Sequence, residues 1–278
     1  MRVRWPFVIA LAVLLAPAIW ATCIEPASLR VAGYDLPLRT WPRDQPELKV
    51  ALIADLHVGS PFNGLDHLKR VVEQTNAAQP DLILLAGDFV ITDVPGGTFV
   101  PPQQIAEALR DLHAPLGVHA VLGNHDWWLD HDAVASALSS AGIDMIDQRA
   151  VNITSGAHHF WLVGVGDLWA GHPDVSTAMA DVNDADPVLA LTHNPDVFPQ
   201  VPARVSLTMA GHSHGGQVYF PLYGHPHIRS IRNQRYVVGH VVEDDRHLFV
   251  TPGIGTSILP VRFLVPPEIS LLRIRSAD

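Results

Sequence analysis

"GVHAVLGNHDWW", Gly117 to Trp128, is the stretch on which the reading of this chain turns. A compact apolar run stops at Gly123, and an amide, an imidazole and a carboxylate follow in three successive residues. A short apolar run closed by glycine reads as a buried strand. Polar side chains crowded at its end read as chemistry at the carboxyl edge of a sheet, where α/β folds bind ligands.

Two earlier runs have the same build. "LKVALIAD" (Leu48 to Asp55) is followed by Leu56-His57, and "DLILLAGD" (Asp81 to Asp88) ends in Gly-Asp. Between them Leu65, Leu68, Val71 and Val72 recur at helical spacing, with Pro80 closing the helix. Ile105, Ala108, Leu109 and Leu112 mark a second helix, and Val134, Ala137, Leu138 and Ala141 a third. The order β-α-β-α-β predicts parallel strands with right-handed crossovers.

After Gly142 the helical spacing fades, and "HFWLVGVGD", "PVLALTHN", "VSLTMAGHSH", "RYVVGHVVE", "HLFVTPG" and "PEISLLRIR" read as strands. They predict a second sheet packed on the first. Residues 24–48 are proline-rich and read as a linker or edge segment, leaving 49–278 as the globular domain. Ahead of them, Arg2 and Arg4 precede a stretch with no charge from Trp5 through Cys23. Residues 1–23 therefore read as a signal anchor or signal peptide, with the uncleaved anchor preferred and the domain outside the cytoplasm.

With 278 residues, 48% of them hydrophobic, the chain can bury one large core or two small ones. A net charge of −10 without any Lys/Arg-rich block argues against binding a nucleic-acid backbone. The single cysteine, Cys23, excludes an internal disulfide.

Five strand ends carry the candidate chemistry: Asp55 and His57, Asp88, Asn124 to Asp126, His193, and His212 with His214. Carboxylates mixed with imidazoles, and no thiolate, suit manganese, iron or zinc. Seven donors exceed the need of one ion, so two divalent ions sharing a carboxylate and activating a bridging hydroxide are expected. Two such ions give +4 against −3 from two aspartates and a hydroxide. The site is then locally positive inside an acidic chain, which suits a phosphate.

The ordered set D-x-H, G-D, G-N-H-D, H and G-H-x-H, from Asp55 to His214, resembles the calcineurin-like metallophosphoesterase superfamily. The resemblance implies an α/β/β/α sandwich of two mixed sheets, here with an N-terminal apolar segment. It also implies that Asp55, His57, Asp88 and His214 hold one ion, and that Asp88, Asn124, His193 and His212 hold the other. In the family the histidine of G-N-H faces the substrate's phosphate; here that is His125, with Asp126 as the expected orienting partner. The apolar amino terminus, "GHSHGGQV" (Gly211 to Val218) and "RFLVPPEISLL" (Arg262 to Leu272) resemble a membrane-associated bacterial-type subgroup.

Trp127 and Trp128 read as core residues at a helix start or as an aromatic wall beside the site. His172 and Trp169 could rim it. His131, His158, His159, His225 and His227 receive no role. The leading expectation is a dimetal phosphoesterase favouring a phosphodiester or pyrophosphate, with a lipid- or nucleotide-linked substrate and membrane attachment through the N-terminal segment. Within the enzyme class the alternative is a UDP-2,3-diacylglucosamine pyrophosphatase. Against it stand motif intervals too short for a sizeable helical lid and a domain placed away from a cytoplasmic substrate. A metal-free scaffold would have lost ligands, and a nuclease would want a basic groove.

Overall fold

A computed structural model describes residues 13, 15–183, 185–226 and 233–277. Most of the apolar amino-terminal run lies outside the described residues, as does His227. Among the described residues no helix is long and apolar enough to cross a membrane.

Two six-stranded sheets lie face to face. The first has the order β1-β12-β2-β3-β4-β5, and the second β10-β11-β9-β8-β7-β6. In the first, β2 (Leu48–Ile53), β3 (Leu82–Ala86), β4 (Val118–Val121) and β5 (Asp144–Met145) run parallel, as the β-α-β-α-β order predicts. Helices α1 (Leu65–Ala77), α2 (Pro102–Leu109) and α3 (Asn124–Ser140) supply the connections. β12 (Glu268–Ser276) joins antiparallel to β2, and β1 (Arg30–Leu38) joins parallel to β12. The segment 24–48 thus contributes the edge strand of this sheet.

In the second sheet β7 (His158–Val165), β8 (Val188–Thr192), β9 (Val205–Ala210) and β11 (Arg246–Val250) are parallel. β6 (Arg149–Ser155) and β10 (Gly239–Glu243) close its two sides antiparallel. Both sheets are therefore mixed.

Period-2 alternation assigns each strand's side chains to two layers. Leu48, Val50 and Leu52 of β2 enter the core between the sheets with Leu84, Leu189, Leu207 and Phe249. Ala51 and Ile53 face the other way, against Leu68, Val71, Ile105 and Leu138 of the helices. On the far side Val188, Val205 and Val250 pack under Val197 and Phe198 of the 3-10 turn Pro195–Gln200. Both faces of β2 and β3 are buried apart from Lys49, which is why these strands read as near-continuous apolar runs.

The third helix starts earlier than its apolar spacing predicts. The strand ends at Val121 and α3 already begins at Asn124, so Asn124, His125 and Asp126 form a helical first turn. The helix breaks at Asp130 (φ −175°, ψ 94°), whose Oδ1 accepts from Ala133 N at 3.1 Å and caps the second half. Only that second half carries the spacing of Val134, Ala137 and Leu138.

Candidate metal centre

The carboxyl ends of β2, β3 and β4 in one sheet meet those of β8 and β9 in the other. Each strand delivers its polar residues one to four positions past its end: Asp55 and His57, Asp88, Asn124, His193, and His212 and His214. The side chains converge. Asp55, His57, Asp88 and His214 each offer a donor atom within 4.8 Å of the others, and so do Asp88, His193 and His212. Asp88 is common to both groups. Asn124 Oδ1 joins the second, 3.2 Å from His193 Nε2.

The donor chemistry fits two divalent ions. Imidazole nitrogens face one another, with His57 Nε2 3.1 Å from His214 Nε2 and His212 Nδ1 3.1 Å from His193 Nε2. Two of these rings are fixed from behind: Nδ1 of His57 meets Val90 O at 3.1 Å, and Nδ1 of His193 meets Ala86 O at 2.6 Å. A nitrogen that donates to a carbonyl leaves the other as a lone pair, which is what a metal takes.

The backbone here is forced. Asp55, His57, Asp88, His212 and His214 all have positive φ, between 38° and 69°. This left-handed region costs a residue with a Cβ roughly 1–2 kcal/mol, although Asp, Asn and His are enriched in it. Gly87 and Gly123 allow the approach of β3 and β4: a Cβ on Gly123 would stand 2.2 Å from Asp88 Oδ1, and one on Gly87 2.4 Å from Gly123 N. The glycines of G-D and G-N-H are thus packing requirements.

Charge is balanced across the cluster. Burial alone would raise Asp88, but the imidazoles of His193 and His57, 3.3 and 3.4 Å away, hold it well below the usual carboxylate range. Burial pushes Asp55 up to about 6. Burial, with His57 and Arg262 nearby, keeps His214 well below the usual imidazole value and hence neutral.

His125 lies beside the cluster, its ring 4.7 Å from that of His57. Its Nδ1 meets Thr92 Oγ1 at 2.7 Å, so proton chemistry from this ring runs through Nε2. Asp126, the expected orienting partner, has another occupation. Its carboxylate accepts from the backbone N–H groups of Asp88 (2.8 Å), Phe89 (2.9 Å), Val90 (3.2 Å) and Gly123 (2.9 Å). Burial and the Asp88 charge push it up to about 7, while the amides of Gly123 and Val90 pull it down. It ties the loop after β3 to the start of α3.

Of the aromatic candidates, Trp127 is half-buried and stacks on His131 with ring centroids 4.1 Å apart. Trp128 is exposed, 4.9 Å from the His125 ring, and stacks at 6.3 Å on Trp169, whose edge meets His212 at 4.4 Å. The loop after β7 therefore reaches the site through Trp169, while His172 is exposed. Sequence reasoning missed Asp167, which holds that loop by accepting at Oδ2 from Trp169 N (2.7 Å) and Ala170 N (2.9 Å). The signal was present, since "VGVGD" is one more apolar run ending in aspartate. Thr92 gave no such signal.

The model of the calcineurin-like phosphoesterase family matches residues 48–227. Among curated proteins, the metallophosphoesterase YkuE of Bacillus subtilis is 29% identical over 93% of this chain and 90% of its own. The phosphodiesterase YaeI of Escherichia coli is 34% identical over 81% of this chain and 82% of its own. The UDP-2,3-diacylglucosamine pyrophosphatase LpxG of Chlamydia trachomatis is 26% identical over 94% of each.

Proposed function

The chain belongs to the calcineurin-like phosphoesterase family and is a metal-dependent hydrolase; from that premise we propose that it cuts a phosphodiester or pyrophosphate bond at the centre built on Asp88. The observation that carries this reading is the pair of donor groups sharing one carboxylate. Asp55, His57, Asp88 and His214 would hold one ion, and Asp88, Asn124, His193 and His212 the other. When bound, the two ions supply positive charge for the phosphoryl oxygens and an acidified water as nucleophile.

The chain's own residues do the rest. His57 and His193, pinned at Nδ1, keep their Nε2 lone pairs aimed at the cluster. The water oxygen would add to phosphorus with loss of its proton to solvent, the ester P–O bond would break, and the leaving oxygen would take a proton that His125 supplies from Nε2 and regains from solvent. Thr92 fixes the orientation of that ring. Trp128 and Trp169 wall the side next to His125 and His212.

YaeI is named a phosphodiesterase, and its identity over most of this chain favours a diester over a monoester. LpxG is the observation that favours a second reading, a pyrophosphate carried on a nucleotide and a lipid. The domain is further read as anchored outside the cytoplasm by its amino-terminal apolar segment, which rests on the uncharged run Trp5 to Cys23.

The test is hydrolysis of a chromogenic phosphodiester against its monoester by the manganese-loaded protein, with Asp88→Asn as the blank. Faster diester cleavage is expected. Faster monoester cleavage would replace the reading with that of a phosphatase. Two bound metals with turnover only on a nucleotide-linked lipid pyrophosphate would select the second reading.

A further inference from the structure

Beside the metal centre lies an apolar margin that phosphoester chemistry does not use. Two loops, residues 217–224 and 256–264, run together there. Tyr219 N donates to Phe263 O at 2.9 Å, and Phe263 N donates to Gln217 O at 2.8 Å. The Gln217 side chain bridges them, donating from Nε2 to Leu259 O (3.0 Å) and accepting at Oε1 from Ser257 N (2.6 Å). Arg262 is fully buried and spends its guanidinium on the carbonyls of Pro252, Gly255 and Val265, which fixes the second loop from beneath.

These loops expose Phe220, Leu222, Tyr223, Ile258, Leu259 and Leu264. Leu222 is 98% and Tyr223 85% exposed at the tip of a turn. Single exposed apolar residues need no explanation, but six on two stitched loops form a patch of the kind that meets a partner.

Contacts on both sides of the patch identify that partner. On the inner side, Ser257 and Ile258 line a small cavity with His212, His214 and Gln217. Ile258 also borders, with Phe99, a cleft of about 420 Å³ that contains Thr92, the residue that holds His125. On the outer side, the end of the apolar amino-terminal segment is fastened to the same loop. Arg262 N donates to Ala21 O at 2.9 Å, and the Glu25 carboxylate accepts from Leu264 N (2.9 Å), Val265 N (2.5 Å) and Trp20 Nε1 (2.5 Å). Ile19, Trp20 and Ile24 are exposed alongside.

We propose that loops 217–224 and 256–264 dock on the surface of a lipid bilayer, beside the point where the amino-terminal segment enters it. The metal centre then opens, past Ile258 and Phe99, onto phosphoesters carried at the lipid–water boundary. The substrate half of this statement rests on the phosphoesterase reading, and the docking half on the reading of the amino-terminal segment as an anchor. Tyr223 and Trp20 are of the aromatic types that settle at that boundary. With a net charge of −10 the attachment runs on apolar side chains and not on attraction to anionic lipid.

The experiment uses the full chain with Cys23→Ser, to remove the one native thiol, and Leu222→Cys carrying an environment-sensitive fluorophore. The protein is reconstituted with phosphatidylcholine vesicles containing phosphatidylcholine spin-labelled near the head group. Glu47→Cys, at the amino-terminal start of β2 and so at the opposite end of the sheet, serves as the control. Quenching at least about twofold stronger at 222 than at 47 is expected for a side chain set into the interface. Equal quenching at the two positions, no quenching at 222 in protein that floats with the vesicles, or failure to float each overturns the proposal. Turnover of a soluble chromogenic diester, measured on the same sample, reports separately on the phosphoesterase reading, and Leu222→Cys leaves it unchanged.

Discussion

Thr92 Oγ1 stands 2.7 Å from His125 Nδ1, so a hydroxyl 33 residues away orients the imidazole beside the metal centre. Thr92→Val removes that contact at nearly constant volume. Outer-shell partners of this kind are worth about 10–100-fold, and the loss is expected in kcat with metal content unchanged. Thr92→Ser should restore most of the rate. Steady-state kinetics beside metal analysis decide it, and a Thr92→Val enzyme of unaltered kcat would leave His125 without its assigned orienting group.

Asp88→Asn and His125→Ala should fail in different ways. Asp88 is shared by both donor groups, so its loss should release most of the bound metal and the activity with it. His125→Ala should keep both ions and lose about 10²–10⁴ in kcat, the usual contribution of a positioned general acid. Elemental analysis separates the two, and metal loss from His125→Ala would mean that a ligand has been misplaced.

Asp126→Ala should act on stability. It leaves four buried backbone donors without their acceptor. With unsatisfied groups costing ~1–3 kcal/mol each and water entering to repair some, a net loss of about 3 kcal/mol is expected. In a chain of 278 residues that lowers Tm by about 5 °C. The melting curves are to be compared in chelator, so that metal occupancy does not enter. An unchanged Tm would show that other acceptors serve those amides.

Asp147 makes stability depend on pH. Burial pushes its carboxyl up to about 6 from 3.8, against the Leu122 N–H that it accepts at 3.1 Å. A raised folded pKa means that the folded chain holds this proton more tightly than the unfolded chain does. The contribution is therefore full below pH ~4, falls as pH rises toward 6, and is gone above. Asp147→Asn removes that slope and should gain ~1–2 kcal/mol over the parent at neutral pH, with little difference below pH ~4. Urea unfolding across pH checks it; parallel curves for the two proteins would place the carboxylate in solvent.

What the sequence disclosed follows from burial. β2, β3, β8 and β9 are covered on both faces, so apolar residues dominate their runs, with Lys49, Ser206 and Thr208 the internal exceptions, and the runs end abruptly where the donors begin. β1 is different: Gly33, Asp35 and Pro37 break its pattern, and as an edge strand with exposed positions it tolerates all three. β6, exposed over most of its length, leaves an equally faint trace. The start of α3 is concealed because its first turn is chosen for the site, with Asn, His and Asp where a helix would otherwise show its spacing.

The candidate site divides in the same manner. Residues that must stand at strand ends are readable from one dimension, and the structure brings all seven candidate ligands together. The partners of His125 and Asp126 are set by how loops fold over one another. Adjacency suggested that these two serve each other, but a helix points neighbouring side chains in different directions. Their actual partners, Thr92 and the amides around Asp88, come from the loop after β3.

The five left-handed residues carry a consequence for the history and handling of this protein. They are candidate ligands, so backbone strain sits at positions the chain most needs. Replacing His212 by glycine would delete a donor and relieve about 1–2 kcal/mol of backbone strain in one step, offsetting part of the packing lost with the ring. Selection for heat resistance alone would therefore oppose changes here less than at other buried positions and would not protect the enzyme. A lineage freed from catalysis should show its first changes there, and a stabilisation campaign must hold them fixed from the outset.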